Sequence, residues 1–172
     1  MDRPPIASPR DWEAARLDLG TPEEPAPDPE RSLLAGLSVL VVEDDADSRE
    51  SLVRVLEQYG ARGTGAATAH AALQALEVAV PDVLVSDIGM ANEDGYDLIR
   101  QVRMLPAHRG RELPALAVTA YGEEGDRLRA MAAGFQAHVA KPVAPRELVI
   151  EVARLAGRPG NHSSGREKES RA

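Results

Sequence analysis

The chain has 172 residues, 43% of them hydrophobic, and a formal net charge of −8. That length suits one ordinary core, and the acidic balance argues against a broad nucleic-acid footprint and against adhesion to anionic membranes. The absence of cysteine excludes a disulfide scaffold, a thiolate zinc site and a cysteine nucleophile; no apolar run reaches the ~18 residues of a transmembrane helix, and no h-region of a signal peptide opens the chain, so a cytoplasmic protein without membrane insertion is expected.

Residues 1–34 are rich in Pro, Glu and Asp, most densely in "GTPEEPAPDPERS". Such a stretch buries little and reads as a disordered extension. Trp12, Ala15 and Leu19 make one short amphipathic stretch inside it. Taken alone, it reads as a transient helix without a partner, because short isolated helices are marginal. From residue 35 to 156 the pattern alternates. "LSVLVV" is a β-branched strand. "DADSRESLVRVLEQYG" places Leu52, Val55, Leu56 and Tyr59 at helical spacing and stops at Gly60. "ARGTGAA" is a weak strand. The next helix begins at a Thr68 cap and carries Ala69, Ala72, Leu73 and Leu76 on one stripe. "DVLVSD" is the third strand, and "GYDLIRQVRML" a helix with Ile99, Val102 and Leu105 in phase. "PALAVTA" is the fourth strand. In the following helix Leu128, Met131 and Ala132 are expected to face inward, with a stop at Gly134. "AHVAKP" is the fifth strand, and a last helix opens with Pro145 in its first turn. Residues 157–172 form a polar tail. Five βα units of this kind imply a parallel sheet covered on both faces.

The polar residues fall at the strand ends. Glu43, Asp44 and Asp45 follow the first strand, Asp87 ends the third, Thr119 the fourth, and Lys141 follows the fifth. In an open α/β sheet these positions meet at one edge, where ligands bind. An Asp after a strand is often only a helix cap, and Asp45 or Asp47 fits that role. A lone Lys-Pro is usually a turn. Four strands ending together in complementary polar chemistry are harder to dismiss. Carboxylates within about 5 Å repel by roughly 3 kcal/mol per pair at an effective dielectric near 20, so the cluster needs cations. Lys141 supplies one, and Mg²⁺, an oxygen-seeking divalent ion, supplies the rest. His70, His108, His138 and His162 lack zinc-ligand spacing. A metal beside a carboxylate, with a lysine and a threonine hydroxyl opposite, suits phosphoryl transfer, with Asp87 as the nucleophile that becomes an aspartyl phosphate.

The motifs "VVEDD", "SDIGM" followed by "DGYDLI", "VTAY" and "VAKP", in this order, resemble a response-regulator receiver domain of two-component signalling. The resemblance covers about Leu37 to Leu155. It implies a flavodoxin-like (βα)5 fold with strand order 2-1-3-4-5. It also implies Asp87 as phosphoacceptor, and Glu43 and Asp44 as the acidic pair for Mg²⁺, with Asp44 the direct ligand. Gly89 matches the position whose backbone carbonyl ligates the metal. Thr119 and Lys141 match the switch hydroxyl and the phosphate-binding lysine, and the Lys141–Pro142 bond is expected to be cis. His138 stands at the aromatic switch position. It reads either as an ordinary half-buried strand residue or as a ring that packs inward when Thr119 moves. Ala91 departs from the family's frequent proline, which suggests a less rigid loop after Asp87. Gly89 and Tyr121 lie two residues beyond Asp87 and Thr119, where side chains screen the phosphoryl group; a bulky Tyr121 and a bare Gly89 suggest slow autodephosphorylation.

Three functions compete. The first is a phosphoacceptor receiver, not a true enzyme. It is served by a histidine kinase or phosphotransfer protein, and its fourth helix, fifth strand and fifth helix engage an unknown downstream protein. It could stand alone or be the receiver fragment of a hybrid histidine kinase. The second is a Mg²⁺-dependent aspartyl-phosphate phosphohydrolase. It is disfavoured because Gly89 occupies the place where such enzymes of the haloacid-dehalogenase type carry a second Asp. The third is a binding-only receiver, disfavoured because every required group is present.

Overall fold

A computed structural model describes residues 28–120 and 124–158. The Trp12/Ala15/Leu19 stretch, Tyr121 and most of the polar tail lie outside the described residues. Five strands form one parallel sheet in the order β2-β1-β3-β4-β5: β1 Ser38–Val42, β2 Arg62–Ala66, β3 Val83–Asp87, β4 Ala115–Thr119 and β5 Ala137–Ala140. The helices between and after them are α1 Ala46–Gln58, α2 Ala69–Val78, α3 Gly95–Met104, α4 Glu124–Ala133 and α5 Pro145–Leu155, with a short 3₁₀ turn at Ala107–Arg109. The flavodoxin-like order expected from the motifs is the observed one.

Strand alternation divides the core in two. Val39 and Val41 of β1 face a cluster with Leu56, Leu148 and Val152 of α1 and α5. Leu40 and Val42 face the other side, with Leu76, Leu98, Ile99 and Val102 of α2 and α3. The central strands β3 and β4 are buried throughout, as a parallel sheet covered on both faces requires. β2 is the exposed edge. Its Gly63 matters, because a Cβ there would come within 2.7 Å of Val53 Cγ1; the bare backbone lets α1 lie close over the sheet.

The local start and stop signals act as expected. Asp45 caps α1 by accepting from Ser48 N at 2.7 Å, and Thr68 caps α2 by accepting from Ala71 N at 3.0 Å. Gly60 and Gly134 leave their helices with φ of 96° and 128°, a left-handed turn that glycine adopts without strain.

Two features differ from the sequence reading. Turns run from Pro29 to Gly36, and Leu34 is fully buried in the α1/α5 cluster. Its N–H donates to Tyr59 O at 2.9 Å. The folded unit therefore takes in residues ahead of position 35. The second difference is the rotation of α4. Leu128 is 57% exposed and Met131 41%, and Ala132 is exposed as well; the expectation that they face inward was wrong. Ala130 and Phe135 are buried instead, with Ala133 packed against them. The close partner of this turn is Arg103, whose Nε and Nη2 both donate to Gly134 O. That contact brings the small-residue stripe against α3 and leaves the bulky residues outside.

Candidate phosphoacceptor site

The register builds the site. Val42 pairs with Ser86 across β1 and β3, so the residues that follow them, Glu43 and Asp87, emerge side by side. Asp87 pairs with Val118, and Thr119 ends β4 one residue later. Thr119 pairs with Ala140, and Lys141 comes next. These side chains gather where the strand order reverses between β1 and β3, the usual ligand crevice of such sheets.

Carboxylate oxygens of Glu43, Asp44 and Asp87 lie within 4.8 Å of one another. Glu43 and Asp87 are buried and Asp44 is exposed. Lys141 Nζ donates to Glu43 Oε2 at 3.0 Å and sits 3.4 Å from Asp87 Oδ1. Burial pushes the Glu43 carboxyl above its ordinary range, against the opposing pull of the Lys141 hydrogen bond. Burial would lower the Lys141 ammonium, but its bond to Glu43 and the Asp87 charge outweigh that and raise it. The Ala91 backbone N–H donates to Asp44 Oδ2 at 2.8 Å and is the main reason the Asp44 carboxyl is held low. The cluster therefore contains an ionised exposed acid, a buried acid tied to a cation, and Asp87 beside the same cation. Among the described residues, no buried side-chain nitrogen or oxygen lacks a partner.

The donor set fits a hard divalent cation. It offers three carboxylates, one of them at the surface where waters can complete the coordination. Gly89 adjoins the cluster. Its N–H donates to Asp87 Oδ1 at 3.3 Å, and a Cβ at this position would meet nothing within 4 Å. Thr119 is buried at 3% exposure, and its carbonyl accepts from Lys141 N at 2.8 Å. The Lys141–Pro142 peptide is cis. His138 is half-buried on β5, opposite Ala117. Its flanking residues Ala137 and Val139 face the α1/α5 cluster, so His138 points to the sheet face that carries α3 and α4.

Contacts that sequence reading missed hold the loops. Arg49 Nη1 donates to Glu43 O at 2.8 Å, which fixes the turn after β1. Ala69 N donates to Glu93 Oε2, tying the β3–α3 loop to the start of α2. Asp94 caps α3 by accepting from Tyr96 N at 2.9 Å. Gly95 follows at a point of close approach: a Cβ there would lie 2.3 Å from Asp87 O. The Gly95 signal was present in "DGYDLI"; the Glu93 contact links segments twenty-four residues apart and left none, and the Arg49 contact, six residues apart, ends on a backbone carbonyl that no residue type marks.

Comparison with known proteins agrees with this geometry. The family model of the response regulator receiver domain matches residues 39–153. A 14.6 kDa uncharacterized protein encoded in the sodA1 3′ region of Leptolyngbya boryana is 47% identical over 67% of this chain and 87% of its own length. The phosphate regulon transcriptional regulatory protein PhoB of Escherichia coli is 33% identical over 66% of this chain. The alignment spans about half (49%) of PhoB's length. The solved chemotaxis response regulator CheY4 of Vibrio cholerae superposes with a TM-score of 0.64 at 26% identity, covering 71% of this chain and 98% of that one. With its strand order, its acidic crevice and the motif set in one register, this chain belongs to the response regulator receiver domain family of two-component signalling.

Proposed function

We propose that the domain accepts a phosphoryl group on Asp87 from a phosphohistidine of a kinase or phosphotransfer protein. The observation that carries this reading is the placement of Asp87, buried at the sheet edge with Lys141 3.4 Å away. An Asp87 carboxylate oxygen forms the new O–P bond while the donor's N–P bond breaks, and the imidazole leaves with the electron pair and takes up a proton. Lys141 faces the acids and neutralises charge on the transferring phosphoryl oxygens. Glu43, Asp44, Asp87 and the Gly89 carbonyl would hold Mg²⁺, which when bound offsets the negative charge of the phosphoryl oxygens. Glu43 also keeps Lys141 aimed into the crevice through their 3.0 Å bond. Thr119 adjoins Asp87 through the β3–β4 pairing and donates its hydroxyl to the aspartyl phosphate. His138 follows that displacement from β5, and the α4–β5–α5 face changes its affinity for a downstream protein.

The assignment is tested with a phosphohistidine donor or acetyl phosphate. Wild-type protein takes up label, and Asp87→Asn takes up none; equal labelling of the variant would sink the reading. Gly89 leaves open space near Asp87 and positions no water, and a bulky Tyr121 hinders water attack. The aspartyl phosphate is therefore long-lived. Tyr121→Ala shortens its lifetime, and an unchanged or longer lifetime would contradict that role.

A further inference from the structure

The β3–α3 loop, residues 88–94, is closed at its base. Gly89 and Asp94 form an antiparallel bridge, and Gly95 N donates to Ile88 O at 3.1 Å. Met90 to Glu93 make the tip, and three of these residues are anchored to different parts of the fold. Met90 is buried in the α2/α3 cluster. Ala91 N donates to Asp44 Oδ2 at 2.8 Å, just past the end of β1. Glu93 Oε2 accepts from Ala69 N at the start of α2, just past the end of β2.

The helix at the far side of that last contact explains it. The first N–H groups of a helix have no partner within it. In α2, Thr68 Oγ1 accepts from Ala71 N at 3.0 Å, and the first turn contains no acidic residue. Glu93 supplies from outside an acceptor for Ala69 N and a negative charge at the positive end of the helix dipole. It is half-buried there, while its loop neighbours Ala91 and Asn92 are exposed. In return, the loop gains a fixed point on a regular element.

The restraint reaches the crevice through few bonds. Glu93 lies two residues from Ala91 and four from Gly89. The Ala91 N–H holds one oxygen of Asp44, and Asp45 N holds the other at 3.0 Å. The orientation of Asp44 therefore depends on where the loop tip stands. Gly89 depends on it too. Its N–H donates to Asp87 Oδ1 at 3.3 Å, but it has no side chain to pack, and the space where a Cβ would sit is open. Alanine at position 91 leaves φ free, where a proline would fix it. The loop thus takes its order from its anchors.

We propose that Glu93 is a positioning residue: docked on the N-terminus of α2, it sets the β3–α3 loop so that the Ala91 N–H reaches Asp44 and the Gly89 backbone stays against Asp87. Glu93 acts through the loop and touches neither Asp44 nor Asp87. Its consequence for the crevice rests on the function proposed above: Mg²⁺ is held more tightly, because a loop already ordered loses less freedom on binding.

The metal-free protein tests the loop by itself. In a chelator, amide hydrogen exchange read by NMR compares wild type with Glu93→Ala and Glu93→Gln. Losing a side-chain partner at a helix start shifts an equilibrium about fivefold, so Ala69 and Ala91 are expected to exchange faster by that factor in Glu93→Ala, with the amides of β4 and β5 at wild-type rates. Glu93→Gln keeps an acceptor and is expected to restore both amides to within about twofold of wild type. An Ala91 amide as protected in Glu93→Ala as in wild type overturns the proposal, because the loop would then hold Asp44 unaided. Equal acceleration in β4 and β5 also overturns it, because Glu93 would then act through global stability. A Mg²⁺ titration followed by the Gly89 amide carries the comparison to the crevice. The dissociation constant is expected to rise about fivefold in Glu93→Ala and to recover in Glu93→Gln; an equal or lower constant in Glu93→Ala overturns the positioning role. Wild-type protein that takes up no Mg²⁺ would sink the metal reading of the crevice, and the amide comparison would still decide the place of Glu93.

Discussion

Replacing Lys141 by Met removes the cation from a site that holds three acids. Carboxylate oxygens within 4.8 Å of one another repel by at least about 3.5 kcal/mol per pair at an effective dielectric near 20. The ammonium attracts Glu43 at 3.0 Å and Asp87 at 3.4 Å by about 5 kcal/mol each on the same scale. Without it the cluster is worse than neutralised, and taking up one proton becomes the cheaper state. Bringing a carboxyl of pKa near 4.3 to its neutral form at pH 7 costs about 3.7 kcal/mol, which caps the loss. Lys141 is 35% exposed, and solvent already screens part of its charge, so about 2–3 kcal/mol is expected at neutral pH. Glu43 takes the proton, because burial already raises its carboxyl and the Lys141 bond is the main influence holding it down. Its folded pKa then exceeds its unfolded value, and the folded state binds the extra proton. Relative to wild type, whose Glu43 carboxyl burial already raises, stability is therefore lost as pH rises from the wild-type folded pKa towards the higher one of the variant, by at most about 1.4 kcal/mol per pH unit, and levels off above it. Urea melts of both proteins in a chelator, at about pH 5 and about pH 7, give the comparison. Added Mg²⁺ should narrow the deficit at neutral pH by binding the folded state. An equal deficit at both pH values would show that Lys141 acts by packing, and the charge argument would fail.

Leu34→Ala should cost about 2–5 kcal/mol, the range for emptying a filled core position; a loss below 1 kcal/mol in urea melts would put the segment before β1 outside the fold. On α4, Leu128→Ser should change stability by no more than about 0.5 kcal/mol, while Ala130→Leu overpacks the core and costs about 1–3 kcal/mol; the reverse order would restore the rotation read from sequence. Ala91→Pro removes the N–H that holds Asp44 low, so the Asp44 carboxyl should titrate higher. Because that acid is depressed in the folded state, its small stabilising effect is present above its ordinary pKa and lost as pH falls through the folded one. The variant lacks it, and NMR titration of Asp44 against wild type reads the shift; an unmoved Asp44 would contradict the hydrogen bond's role.

The parts of the fold legible in the sequence are those set by short-range rules. A Thr or Asp with a free N–H three residues on makes a cap, and Thr68 and Asp45 do so. Glycine past a helix end takes positive φ, as at Gly60 and Gly134. A run such as "VLVSD" is buried on both faces because neighbours pair on both sides. The rotation of α4 was not legible, because it depends on Arg103 of α3 reaching Gly134 O across thirty-one positions of chain. Periodicity weights large apolar residues, and here the inward stripe is made of alanines. Leu34 was lost for a related reason. A proline- and acid-rich neighbourhood predicts no burial, yet one leucine suffices to close the space beside Tyr59.

The site was legible because ligand-binding groups on an open parallel sheet gather at the carboxyl ends of strands, and four motifs did so in order. What the motifs could not convey is how the loops between them are held. Ala91 illustrates this. A missing proline suggested a looser loop, since proline fixes φ. Proline also lacks the N–H that Ala91 donates to Asp44. The substitution therefore exchanges one restraint for another, from a stiff backbone angle to a hydrogen bond that spans two strand ends. The second restraint is tied to the charge of an acid in the crevice, so loop order and the state of that acid become coupled. Asp87 has an oxygen within 4.8 Å of the same acid, so the β3–α3 loop and the crevice share one electrostatic environment through Asp44.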